Sequence, residues 1–313
     1  VPSLLDRKLL FVTGKGGVGK STIAASLGLL AAEQGKRTLV CEVDAKGNLA
    51  DFYEAGPTSF AARELQPGLF VMSMDTEESL KEYLSLQLKI PLLARIGPLA
   101  RTFDFIANAA PGVKEILTIG KLAYEVREQN YDLVVVDSVA SGHIVGQLTA
   151  PLGINELVQV GMVRNQTQWM LDILTDPAQT GVVIVSAPEE MPVAETIELA
   201  ERLDAETDVD LAAVVVNRVL PELFNDREEA VFEAMRSGQH VDALTAAIGG
   251  DVAPVFDAAE LAVTLRRTRA EHLATLRRAL DPTLPLIYVP YLFTRTHGAR
   301  ATRRVAELLA EEL

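Results

Sequence analysis

The stretch Thr13-Gly14-Lys15-Gly16-Gly17-Val18-Gly19-Lys20-Ser21-Thr22 constrains this chain more than any other. The apolar run Leu9-Leu10-Phe11-Val12 leads into it. A helical pattern follows, with Ile23, Leu27 and Leu30 on one face and Gly35 as a stop. Strand, glycine loop and helix are the frame that a G-x-x-x-x-G-K-[ST] match requires. Gly14, Gly16, Gly17 and Gly19 admit backbone angles closed to other residues, so consecutive N–H groups around Val18 can turn inward on a phosphate. The following helix aims its positive end at the same anion. Lys20 adds a compact charge for the β- and γ-phosphates, Ser21 offers a hydroxyl to Mg²⁺, and Thr22 extends the motif. The stretch therefore predicts a site for ATP and Mg²⁺. Lys15, beside Gly14, need not point into the pocket of its own loop.

Further apolar runs predict a sheet. Arg37 to Val43 reads as a strand ending at Asp44, Leu69 to Met74 as another, and Leu133 to Val136 as a buried parallel strand ending at Asp137. Val182 to Val185, Leu211 to Val216 before Asn217, and Leu286 to Val289 before Pro290 complete the set. Helical patterns separate them, which predicts an α/β fold, a mostly parallel sheet with helices on both faces. The whole chain, 1–313, reads as one nucleotide-binding domain with helical insertions at about 76–130, 145–178 and 220–281. In such sheets ligands bind at the carboxyl edge, where the loop, Asp44, Asp137 and Asn217 converge.

Each strand-end residue has a chemical reading. Asp137 is placed to hold Mg²⁺ through water. Asp132, at the start of that strand, is expected to be an exposed acid at the opposite edge. The small residues after Asp137, with Gly142 as a hinge, suit a switch that senses the γ-phosphate, and His143 either reports that state or caps the next helix. Asp44 either orients the water that attacks the γ-phosphate or caps the helix near Leu49, for which Asn48 is better placed. Asn217 either reads the adenine edge or serves a backbone turn.

Composition excludes several classes. The single Cys41 rules out an internal disulfide and a Cys-rich metal site in one chain, and its apolar neighbours predict a buried thiol. The four histidines show no ligand spacing. A net charge of −14 opposes nonspecific nucleic-acid binding and contact with anionic membrane. No run approaches the roughly 18 apolar residues of a membrane span, and Val1 to Arg7 carries no signal-peptide pattern. The expected location is cytoplasmic, with membrane contact only through a partner.

These motifs together resemble the ArsA family: arsenite-pump ATPases and the related ATPases that target tail-anchored membrane proteins. GKGGVGKST is similar to the deviant phosphate loop of the wider MinD/ArsA class. Asp44, Asn48, Leu49 and Asp51 match a switch-one pattern resembling TDPAHNLSD, and Asp137, Gly142 and His143 match a switch two resembling DTAPTGH. Ala110 to Glu115, Pro188 to Pro192 with Glu195-Thr196, and Val289-Pro290-Tyr291-Leu292 with Gly298 also resemble family segments. The resemblance implies a Mg-ATP-dependent dimeric switch, paired with a second copy or a similar chain. It gives Lys15 a role on the partner's nucleotide, Asp44 the catalytic water, and Pro290 and Tyr291 a loop over adenine with Asn217. Asn48, Asp51, Gly142 and His143 become switch residues. The chain departs from the family at DAKGN in place of DPAHN and at Ala140 in place of a proline. It also lacks the metalloid-binding thiols and the paired zinc cysteines.

Apolar residues in 83–106 and in Met162 to Leu174 exceed what packing on a sheet needs; they either bury each other or a partner subunit, or form a groove for an apolar helical client, as the family resemblance implies. Two other functions compete with the switch. A MinD- or ParA-like positioning ATPase would want a basic amphipathic tail, and the C-terminus is acidic. A small-molecule kinase would have little use for Lys15.

Overall fold

The computed structural model describes residues 3–43, 49–88, 112–157, 162–293 and 298–313. Eight strands form one sheet in the order β3-β4-β2-β5-β1-β6-β7-β8. They are β1 (Leu9–Gly14), β2 (Thr38–Glu42), β3 (Arg63–Gln66), β4 (Leu69–Ser73), β5 (Leu133–Asp137), β6 (Thr180–Ser186), β7 (Leu211–Val219) and β8 (Leu286–Pro290). Every pairing is parallel except β3 with β4. The helices are α1 (Lys20–Glu33), α2 (Leu49–Phe52), α3 (Thr76–Leu88), α4 (Val113–Arg127), α5 (Ser141–Leu157), α6 (Met162–Leu174), α7 (Glu190–Glu206), α8 (Asp226–Met235), α9 (Gly238–Ile248), α10 (Ala253–Ala279) and α11 (Ala299–Glu312).

The unbroken apolar runs become strands buried on both faces, as continuous hydrophobicity requires. Leu10 and Val12 of β1 face a core completed by α1 and α11, while Leu9 and Phe11 face α4, α5, α6 and α7. Each such fully buried side chain contributes about 1.5–3 kcal/mol relative to exposure. The edge strand β3 escapes a pattern search because it is short, antiparallel and half exposed, with no apolar alternation.

Helix α1 departs from the expected one-faced helix. Every residue from Ile23 to Ala32 is buried, because α1 lies between the sheet and α11. A Cβ at Gly28 would meet Val40 Cγ2 at 2.2 Å, so glycine lets α1 settle on β2. Ser26 Oγ donates to the Thr302 carbonyl at 3.0 Å, and Tyr53 OH donates to the Ala25 carbonyl at 2.8 Å. The acidic C-terminal stretch is thus a packed helix, with Thr302, Val305, Ala306 and Leu309 buried.

Three other boundaries shift. Strand β7 continues past Asn217 to Val219, with a register shift between Val216 and Val219 and Arg218 at φ 62°. A polar residue followed by a left-handed one looks like a strand end in sequence; here it is a bulge beside the site. Gly142 lies inside the first turn of α5, so the flexible-looking linker after Asp137 is only Ser138 to Ala140. Strand β8 takes in Pro290, one residue past its apolar run. On α10, Arg267 pairs with Glu229 and Arg269 lies 3.7 Å from Glu189.

Candidate nucleotide site

Strand β1 sits between β5 and β6 and delivers the glycine loop to the carboxyl edge of the sheet. The loop is shaped by close backbone approach. A Cβ at Gly14, where φ is +144°, would lie 2.1 Å from the Val185 carbonyl oxygen of β6. At Gly19, φ +102°, it would lie 2.3 Å from Asn217 Nδ2. Gly17 also has a positive φ of 88°, whereas Gly16 has open space around it. Gly19 is the residue before α1, and Ile23 N donates to its carbonyl at 3.0 Å, so Lys20, Ser21 and Thr22 form the helix's first turn. The positive end of the helix dipole at this first turn favours an anion.

Asn217 holds the loop from the side. Its Nδ2 donates to the Val18 carbonyl at 2.9 Å, and its Oδ1 accepts from Arg218 N at 2.9 Å. The bulge in β7 turns the amide toward the loop. A neutral amide here supplies the donor without a charge to compete with Lys20. Lys20 Nζ donates to the Lys15 carbonyl at 3.3 Å.

The acidic element stands one strand away. Asp137 ends β5, buried, in register with Val12 of β1 and with Glu42 of β2. Thr13 Oγ1 donates to the Val139 carbonyl at 3.0 Å and Ser138 N to the Val12 carbonyl at 3.0 Å, tying the segment after Asp137 to β1. Glu42 is buried too, and accepts from Ser73 Oγ at 3.4 Å. It is the residue that sequence reading missed. Its signal was a charge inside the apolar run Leu39-Val40-Cys41-Glu42-Val43. Asp132, by contrast, is exposed at the other edge, where its carboxylate accepts from Arg37 N at 2.8 Å.

These donors fit a hard, well-hydrated cation. Among the described residues no cluster of three or more His, Cys, Asp or Glu forms a closed metal cage. A hydroxyl, one or two carboxylates, phosphate oxygens and water are the ligand set that Mg²⁺ takes.

The remaining candidates spread around this centre. Lys15 reaches Glu195 of α7 in an ion pair, and Ser141 Oγ lies 3.5 Å from the other carboxylate oxygen. Gly142 and His143 are exposed at the start of α5, and Asp51 is exposed on α2. Pro290 ends β8. Tyr291 N donates to the Val219 carbonyl at 2.8 Å, and its ring tilts against Phe293 at 4.8 Å. Asp44 and Asn48 lie outside the described residues. Cys41 is fully buried, and burial pushes its thiol far above the ordinary range, so it is a core group, as its apolar neighbours predict. Burial pushes the Tyr53 hydroxyl up as well.

The sequence profile of the anion-transporting ATPases, the ArsA family, matches residues 7–170 and 157–245. The chain belongs to the ArsA ATPase family. Within it, ATPase BagA of Mycobacterium tuberculosis is 31% identical over 225 residues, covering 68% of this chain and 66% of BagA. ATPase ASNA1 homolog 1 of Paramecium tetraurelia is 28% identical over 256 residues, covering 68% and 75%. An ASNA1 homolog of Entamoeba dispar is 26% identical over 260 residues, covering 68% and 77%. The match thus spans just under two thirds of the length of BagA. The loop stands on a mostly parallel α/β sheet, and no described helix is long and apolar enough to cross a membrane.

Proposed function

We propose that this ArsA-family chain is an ATP-hydrolysing switch that works as a pair of ATPase subunits, a second copy or a similar chain. One observation carries the reading. The glycine loop is held in shape by two constraints, the backbone carbonyl of Val185 under Gly14 and the side-chain amide of Asn217 on the Val18 carbonyl. A loop so fixed presents its N–H groups without reorganisation when phosphate arrives. Lys20 binds the phosphates of its own subunit. Ser21 and Asp137 hold Mg²⁺, which when bound neutralises charge on the phosphate oxygens. Asp44 orients the attacking water, Pro290 and Tyr291 cover the base with Asn217, and Lys15 acts on the partner's nucleotide. Asn48, Asp51, Gly142 and His143 move with the phosphate state.

Lys20→Ala and Lys15→Ala separate these roles. Lys20→Ala should abolish binding of a fluorescent ATP analogue. Lys15→Ala should keep that binding and lose phosphate release. Wild-type turnover by Lys15→Ala would remove the paired-subunit reading.

A chamber on the opposite face of the sheet favours a second element of function. Tyr83, Ile116, Tyr124, Ile154, Trp169 and Met170 of α3 to α6 line a cavity of about 190 Å³. The indole N–H of Trp169 is buried and has no hydrogen-bond partner among the described residues. Met170, Ile173 and Leu174 meanwhile pack into the core, which accounts for much of the apolar surface of α6. The residues from 89 to 106 that also suggested a groove lie outside the described residues. We read the chamber as the floor of a site for an apolar helical client. Anisotropy of a labelled apolar peptide should rise with ATP and not without it; no binding in either state would leave the switch alone. A positioning ATPase is disfavoured because the C-terminal amphipathic face is already used against α1.

A further inference from the structure

The ion pair between Lys15 and Glu195 has a consequence for the paired-subunit reading, on which this inference rests. Lys15 is contributed by the glycine loop and Glu195 by the second turn of α7, 180 residues later. Helix α7 is pinned where it stands. Thr196 Oγ1, beside Glu195, contacts Ser186 Oγ at 2.9 Å and donates to the Pro192 carbonyl at 2.7 Å, and all of this is buried. Glu195 therefore projects from a fixed support toward the loop. Its two carboxylate oxygens divide between the glycine loop and the start of α5. Oε1 takes Lys15, and Oε2 lies at the limit of hydrogen-bond reach from Ser141, the first residue of α5 and the fourth after Asp137. A cleft lined by Ser141, Gly142, Glu195, Glu198 and Arg202 opens between the two helices.

We propose that Glu195 is a positioning residue that keeps Lys15 within its own subunit until the segment after Asp137 moves. A lysine bound to a carboxylate of its own chain cannot at the same time lie on a partner's phosphates. One of the two contacts must be given up. The side chains are 26% and 34% exposed, so water and salt screen the pair, and it can break without leaving a buried charge behind. The same carboxylate's second oxygen faces the start of α5. A shift of Ser141 therefore changes the environment of the group that holds Lys15. The glycine loop and the switch segment are joined through an acid on a third, stationary element.

Two measurements test this. The first needs no nucleotide and no pairing: acylation of the Lys15 amine by an amine-reactive ester, followed by mass spectrometry of the proteolytic peptide that carries Lys15. Glu195→Gln should raise the labelling rate several-fold over wild type, and an unchanged rate overturns the proposal. The second is self-association with ATP, followed by sedimentation across protein concentration. Glu195→Gln should lower the midpoint concentration several-fold in the Lys15 background and shift nothing in Lys15→Ala. A midpoint equal to wild type, despite faster labelling, means that the hold does not govern pairing and also overturns it. Wild type that never self-associates with ATP removes the reading of a second copy as partner, while the labelling still reports the contact itself. Glu195→Asp, which keeps the charge but withdraws it from Lys15, serves if the glutamine variant fails to fold; it should label faster than wild type as well.

Discussion

The carboxyl edge around β1 and the helical layer of α4, α5 and α6 are held by opposite kinds of constraint. At the edge, Gly14 is crowded by a backbone atom, the Val185 carbonyl oxygen, and Gly19 by the Asn217 side-chain amide, which its own hydrogen bonds to Val18 and Arg218 restrain. In the layer, a Cβ at Gly120 would meet Met170 Cε at 2.9 Å, the free end of a flexible side chain, and Gly146 and Gly153 have open space. Backbone oxygens cannot step aside, whereas a methionine can change rotamer. At Gly14 and Gly19 the edge therefore tolerates little drift in shape, although Gly16 and Gly17 have open space, and the layer can adjust around whatever its chamber holds. A rigid phosphate cradle beside an adaptable apolar layer is what a nucleotide switch with a variable client would need.

The comparison can be broken at Gly14. Gly14→Ala combines a left-handed φ with a backbone clash and should cost more than about 3 kcal/mol, at least a 100-fold loss of ATP affinity in a fluorescence titration. Retained binding would mean that the loop is not fixed by β6. Asn217→Ala should come next. It leaves the Val18 carbonyl unpaired at a cost of about 1–3 kcal/mol, read as roughly tenfold weaker ATP binding with little change in melting temperature. A large drop in melting temperature with intact binding would make Asn217 a fold residue instead. In the layer, Gly153→Ala should stabilise α5 by up to about 1 kcal/mol, raising the melting temperature and leaving hydrolysis unchanged.

The smallest effect expected is none at all. Cys41, on the face of the sheet beneath α4, should resist alkylation in the folded chain at pH 8 and react only at the rate of unfolding. Burial raises its pKa, so the folded state favours the neutral thiol. The stability from this burial is fully present below the ordinary thiol range and declines as pH rises beyond it, where unfolded chains ionise. Fast alkylation of native protein would show that the layer opens far more than its packing suggests.

What could be read in the sequence follows the same division. The phosphate loop was legible because its glycines answer local backbone demands that one short stretch records. Asp137 was legible because a charge closing an apolar strand has few other uses. Asn217 was visible as a site residue, but its hold on the Val18 carbonyl depends on a bulge that only the folded β7 displays. Glu195 stood in a recognised segment without a role, since its partner lies 180 residues away and no periodicity joins them. Strand β3 left no trace because an edge strand with half-exposed residues needs no apolar alternation.

Helix α11 also sets a timetable. Strand β1, the glycine loop and α1 are made long before the helix that covers them: α1 is buried on two sides and its second cover is residues 299–312. Thr302 Oγ1 donates to the Phe52 carbonyl at 2.8 Å, so the same later helix secures α2. During synthesis α1 must wait, with one apolar side open, until residues 299–312 have emerged from the ribosome. A nascent chain stopped before Gly298 should then carry the complete glycine motif and still bind ATP poorly. Nucleotide occupancy would become a mark of a molecule with α11 in place, and one without it would present the apolar surface that chaperones recognise.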